Sequence, residues 1–134
     1  MNNSFPEGES KMRMKDVMGH QIIAVDFNRS CGLAAKIMAD NKVGSVLIRK
    51  GEDIVGIVTE TDLVYRVMAE GKDPLKTIVD TVMSFPIYSI DEEATVEEAR
   101  KIMSENQIRH LIVTRRGKPH GMFSARNLID GCSG

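Results

Sequence analysis

The sequence predicts an α/β (α+β) fold assembled from two copies of one small unit, each a small sheet flanked by helices. Three observations predict it. The stretch Gly56-Ile57-Val58-Thr59-Glu60-Thr61-Asp62 reads as the end of a buried strand turning directly into a helix. It recurs as Gly121-Met122-Phe123-Ser124-Ala125-Arg126-Asn127, at a fixed offset of 65 residues. At that offset Val17–Val64 superimposes on Val82–Ile129 without a gap, matching Met18 to Met83, Asp26 to Asp91, Lys36-Ile37-Met38 to Lys101-Ile102-Met103 and Asn41 to Asn106. A short repeat of this kind leaves an apolar sheet face that needs a partner, so the two units are expected to pack about a pseudo-twofold axis.

The elements follow in order. Residues 1 to about 11 are polar and are expected to be a flexible N-terminus. The first repeat spans 12–70, a linker 71–78, the second repeat 79–130 and a tail 131–134. Met14, Val17 and Met18 suggest one or two helical turns before the strand Ile22-Ile23-Ala24-Val25. Ser30 is placed to cap a helix from Cys31 to about Asp40, whose apolar positions Leu33, Ala34, Ile37 and Met38 recur at helical spacing. Val43 and Val46-Leu47-Ile48 form a strand that turns at Lys50-Gly51-Glu52-Asp53 and returns over Ile54–Val58. Thr59 then opens a helix running to about Glu70, broken by Gly71-Lys72-Asp73-Pro74. Leu75, Ile78, Val79, Val82 and Met83 give a second short helical pattern.

The second repeat runs in the same sequence of elements. Ile87–Ile90 is its first strand, and Thr95-Val96-Glu97-Glu98 carries a capping-box signature for a helix reaching about Glu105. Leu111–Val113 and His120–Phe123 pair around the turn Arg116-Gly117-Lys118-Pro119, and a short helix is expected near Arg126–Asp130.

Composition narrows the function. The 134 residues carry 18 Lys and Arg against 19 Asp and Glu, a formal charge of −1, so no overall field draws nucleic acid. There is no Trp, and aromatics make up 4% of the chain, which argues for an aliphatic, Met-filled core over a base-stacking platform. No apolar run approaches the roughly 20 residues that span a bilayer, and the N-terminus lacks a secretion signal. Cys31 and Cys132 form neither a Cys-x-x-Cys pair nor a disulfide framework, which fits a cytoplasmic protein. His20 and His120 lack acidic or thiol companions at ligand spacing, so no metal is expected. No nucleophile–base–acid set emerges, and no catalytic residue or catalytic cofactor is expected.

Asp16-Val17-Met18 and Thr81-Val82-Met83 before each copy, Thr95-Val96-Glu97-Glu98-Ala99, and the Gly-Ile-Val-Thr-Glu-Thr-Asp corner together resemble a tandem pair of cystathionine-beta-synthase (CBS) domains, a Bateman module. The resemblance covers about Met12 to Ile129, which leaves no room for an accompanying catalytic, channel or transporter domain. It implies a stand-alone, non-enzymatic regulatory module that binds an adenosine-containing nucleotide in the cleft between repeats.

At the corner, Thr59 and Asp62 have two readings. As structure, Thr59 caps the helix and Asp62 sits in its first turn. As a site, the free N–H groups and hydroxyl suit a phosphate, and the carboxylate suits a vicinal diol. The resemblance places phosphate on Thr59 and ribose on Asp62, with Thr61 beside them and adenine against Ile22, Ile23, Gly44, Ser45 and Val46. In the second copy Ser124 keeps the hydroxyl, Asn127 lacks the charge, and Arg126 adds a cation. Ser84, Pro86, Ile87, Tyr88, Arg109, His110 and Leu111 are expected to line that site. The ligands this implies are AMP, ADP, ATP, NAD or S-adenosylmethionine. The partners it implies are a second copy, docked through the helices that carry Met68 and Leu128, and an effector protein. Two other classes stay open: a ligand-free dimerisation or adaptor module whose corners only cap helices, and an RNA- or DNA-binding module using the basic hairpin Arg115-Arg116-Gly117-Lys118.

Overall fold

The computed structural model describes residues 11–125. Most of the expected flexible N-terminus lies outside them, as do the short helix expected near Arg126–Asp130, Leu128, and the tail with Cys132. The described chain forms two compact units, one of residues 23–87 and one of residues 11–22 with 88–125. Each holds a small mixed sheet flanked by helices, and the two are duplicates of one α+β plan.

In the unit of residues 23–87, β1 (Ala24–Asp26) pairs parallel with β2 (Ser45–Lys50), and β2 pairs antiparallel with β3 (Asp53–Thr59). The parallel step needs a crossover, which α2 (Cys31–Asn41) supplies. The Ser30 hydroxyl accepts the Leu33 N–H at 3.1 Å, capping α2 as its sequence suggests. The helix stops at Lys42, which takes a left-handed conformation (φ 56°), and Val43 N–H returns to the Met38 carbonyl. A left-handed backbone at a non-glycine residue costs about 1 kcal/mol, offset here by satisfying an end carbonyl that would otherwise lack a partner. Val25, Cys31, Ala34, Met38, Val46, Ile48, Val58, Val67, Val79 and Val82 form the core.

The other unit repeats these details. Strands β4 (Ser89–Asp91), β5 (His110–Arg115) and β6 (Lys118–Ser124) have the same order and directions, and α4 (Val96–Asn106) makes the crossover. Gln107 is left-handed (φ 54°) where Lys42 was, and both β2–β3 and β5–β6 shift register at equivalent places, Ile48/Arg49 and Val113/Thr114. Its core is Met14, Met18, Ile90, Val96, Ala99, Met103, Leu111, Val113 and Phe123.

The helix expected from Glu60 to Glu70 takes another form. A single α-helical turn, α3 (Glu60–Leu63), widens into a π-helical turn over Val64–Met68, where Ala69 N–H reaches the Val64 carbonyl. The wider turn buries Val67 and leaves Val64, Tyr65 and Met68 exposed, so three of its apolar side chains do not join the core. The apolar run Leu75–Met83 gives only a 3₁₀ turn, Val79–Thr81, and Leu75 is exposed.

The repeats and the compact units are divided differently along the chain. The short helix α1 (Met14–Val17) opens the first repeat, yet Met14 and Met18 lie in the core with β4–β6, and Gly19 exchanges both backbone hydrogen bonds with Met122. Conversely, Val79 and Val82 open the second repeat and lie in the core with β1–β3, while Ser84 exchanges both bonds with Ile57. Gly56 and Gly121 make these dockings possible. A Cβ on Gly56 would collide with the Met83 thioether and crowd the Ser84 carbonyl at 3.1 Å. One on Gly121 would meet Met18 and come within 2.7 Å of the Gly19 carbonyl.

Candidate functional site

The corner of residues 23–87 is built from β3, α3 and the segment that follows the 3₁₀ turn. β3 carries Thr59 opposite Ser45, and Glu60 N–H donates to the Gly44 carbonyl, which fixes where the strand leaves the sheet. Thr59 is extended (φ −115°, ψ 170°), as an N-cap must be. Its hydroxyl oxygen accepts the Asp62 N–H at 3.2 Å, while Asp62 Oδ2 accepts the Thr59 N–H at 2.9 Å and the Thr59 hydroxyl at 3.1 Å. This is a complete capping box formed by Thr and Asp.

Asp62 goes further than a cap requires. It is 5% exposed, the one buried charged side chain among the described residues. A buried carboxylate is tolerated only when its oxygens are occupied. Oδ1 accepts the Ser84 hydroxyl at 2.9 Å and faces Arg66 Nε at 3.8 Å. Arg66 in turn donates to the Val82 and Met83 carbonyls at 3.0 and 3.2 Å, tying the π-helical turn to the segment that carries Ser84. The chemical result is a desolvated carboxylate, fixed in place and already accepting hydroxyl protons. The single Thr59 proton goes to Asp62 or to an anion, so a phosphate engaging Thr59 as a donor would take it from Asp62.

The other residues expected at the first site fall around this corner in varied ways. Ser45 and Gly44 flank it, Val46 is buried in the core, and Thr61 is exposed. The Ile23 carbonyl accepts the Leu47 N–H, extending the β1–β2 pairing, and Ile22 is half-buried at the end of the other compact unit. Ser84 and Arg66 are the residues that sequence reasoning missed at this corner. Ser84 was grouped with the second site, and no local signal connects it with a carboxylate 22 positions earlier.

The second corner is described as far as Ala125. Ser124 pairs opposite His110, and Ala125 N–H donates to the Arg109 carbonyl, the counterpart of Glu60 and Gly44. Leu111 is buried, His110 half-buried and Arg109 exposed. The Tyr88 carbonyl accepts the Ile112 N–H. Arg126 and Asn127 lie outside the described residues. Ser84, Pro86 and Ile87 belong to the unit of residues 23–87.

Outside the corners, the acidic pair Glu92-Glu93 meets basic side chains. Glu92 lies 3.5 Å from Arg115 Nε and 3.9 Å from His120 Nε2, and Glu93 accepts from Lys15 at 2.9 Å, which raises the lysine pKa. Cys31 is a free, buried thiol whose pKa is pushed up by burial. Among the described residues no three His, Cys, Asp or Glu side chains group as metal ligands, and no helix is long and apolar enough to cross a membrane.

The CBS-domain family model matches residues 14–69 and 79–134. The chain belongs to the CBS-domain family. It is a tandem CBS pair, the Bateman arrangement, in a family that is characteristically non-catalytic. The CBS domain-containing protein YhcV of Bacillus subtilis is 29% identical over 86% of this chain and 81% of its own length. An uncharacterized protein of Methanopyrus kandleri is 36% identical over 69% of this chain, which spans about half (48%) of that relative. A putative signal-transduction protein with CBS domains from Burkholderia ambifaria has a solved structure that superimposes with a TM-score of 0.76 and 31% identity, covering 85% of this chain and 84% of that one. CBS pairs as a class are known as regulatory, nucleotide-sensing modules.

Proposed function

We propose that this CBS pair is a cytoplasmic sensor that binds an adenosine-containing nucleotide at the Thr59–Asp62 corner and passes the binding state to an effector protein. The observation that carries the reading is the Asp62 carboxylate, buried, anchored on one oxygen by the cap and holding a hydroxyl on the other. A ribose diol is the ligand group that can take the place of such a hydroxyl, and a phosphate suits Thr59. Gly44 and Ser45 flank the same corner, and the reading places adenine there, against Ile23 and Val46 with Thr61 beside it. The second site, with Ser124, Arg126 and Asn127 as its polar groups and Tyr88, Arg109, His110 and Leu111 around them, is the weaker one in this reading because it lacks a carboxylate.

Native mass spectrometry with AMP, ADP, ATP, NAD and S-adenosylmethionine tests the proposal. One nucleotide per chain is expected, lost on Asp62→Asn with the melting transition retained. Undiminished binding by Asp62→Asn would remove this corner as the site.

The ligand-free adaptor reading is favoured by one observation: Val64, Tyr65 and Met68 are exposed together on the π-helical turn. Both readings accommodate a homodimer through this face. Sedimentation of Tyr65→Glu, expected to run as a monomer, tests it. Nucleic-acid binding is disfavoured because Arg115, at the basic hairpin, already faces Glu92.

A further inference from the structure

The two copies differ at a position beside Asp62. Ser84 and Gly19 are equivalent: each exchanges two backbone hydrogen bonds with the strand that leads into its corner, Ser84 with Ile57 and Gly19 with Met122. Packing does not demand glycine at residue 19, since a Cβ there would meet only the Met122 carbonyl, at an ordinary 3.7 Å. The hydroxyl at residue 84 is therefore a feature of the first corner alone, and it is aimed at the outer oxygen of Asp62 from 2.9 Å.

A carboxylate offers about four acceptor positions. Two on Oδ2 are taken by the Thr59 N–H and hydroxyl. On Oδ1, Ser84 takes one, and the Arg66 Nε lies 3.8 Å away. A ligand hydroxyl that reaches Asp62 thus meets an oxygen already holding one. We propose that the Ser84 hydroxyl is an intramolecular stand-in for a ligand hydroxyl on Asp62 Oδ1, so that the first corner is self-occupied and admits ligands whose vicinal diol replaces it. This rests on the nucleotide reading above and adds to it a residue that sets both affinity and selectivity. In the empty protein the same contact keeps a buried charge satisfied, which a glycine at this place would not do.

The test titrates adenosine monophosphate and its 2′,3′-dideoxy counterpart into the wild-type protein, Ser84→Ala and Ser84→Thr, with a thermal melt of each to establish folding. Removing the competing donor is expected to tighten binding of the monophosphate by about three- to tenfold. The dideoxy compound should gain nothing, and Ser84→Thr, which keeps a hydroxyl, should behave as the wild type. Monophosphate binding that is unchanged or weakened in Ser84→Ala overturns the stand-in role while leaving the nucleotide site in place. Equal tightening of the dideoxy compound overturns it too, because the gain would then not pass through the diol. Absence of monophosphate binding by all three proteins removes the nucleotide reading and the stand-in with it. If Ser84→Ala does not fold, Ser84→Cys, which keeps the side-chain size and a weaker donor, decides the same question: an intermediate tightening is expected for the monophosphate alone, and unchanged binding overturns the stand-in role.

Discussion

The protein contains the same capping box twice, at Thr59–Asp62 and at Thr95–Glu98, and the two agree in every hydrogen-bond distance. In each, the threonine N–H reaches the carboxylate at 2.9 Å, the threonine hydroxyl reaches it at 3.1 Å, and the returning N–H lies 3.2 Å from the hydroxyl oxygen. Their surroundings differ. Glu98 is exposed and accepts from Thr95, with Arg13 nearby, whereas Asp62 is buried and also holds Ser84 and faces Arg66. Capping by itself thus asks for neither burial nor extra donors. What surrounds Asp62 beyond the cap is the part of the corner that calls for a functional account.

The comparison can be broken at several points. Asp62→Ala strands the half-buried Ser84 hydroxyl and Thr59 N–H and should cost about 3 kcal/mol in urea unfolding. If it costs no more than an ordinary cap, burial adds nothing at Asp62. Thr59→Ala should cost about 2 kcal/mol, the upper end for a cap, against about 1 kcal/mol for Thr95→Ala. Arg66→Met, which removes the donors to Val82 and Met83, should lower stability by about 1 kcal/mol and loosen the Ser84 segment, seen as faster amide exchange at Ser84. The smallest effect is electrostatic. Hydrogen bonds from the Thr95 backbone and then its side chain hold Glu98 below its ordinary pKa of 4.5. A depressed carboxyl contributes stability above its unfolded pKa and loses it as pH falls through the folded one. Glu98→Gln should therefore narrow its gap to the wild type between about pH 5 and pH 3, with little change in slope above that.

Much of this was legible in the sequence. The offset repeat gave the duplicated α+β plan, Ser30 and the two threonines marked helix starts, and the apolar run Val46-Leu47-Ile48 with the Gly51 turn marked the β2–β3 hairpin. Two features were hidden for physical reasons. The π-helical turn at Val64–Met68 leaves the same residues within reach of a helical pattern and differs only in one hydrogen-bond step. The crossing of the leading segments is invisible to periodicity. A repeat at constant spacing looks the same whether Met18 packs on its own copy or on the other, and only the tertiary pairing of Gly19 with Met122 decides. The contact of Ser84 with Asp62 is hidden by the same ambiguity.

Those crossed leading segments bear on how the molecule can be divided. A fragment cut at the repeat boundary, such as 12–70, would carry β1–β3 but not Val79 and Val82, and would drag along Met14 and Met18 with nothing to cover them. A fragment of residues 23–87 would instead bring its whole hydrophobic interior with it. Anyone seeking a half-size version of this protein should place the scissors after each leading segment, not before it.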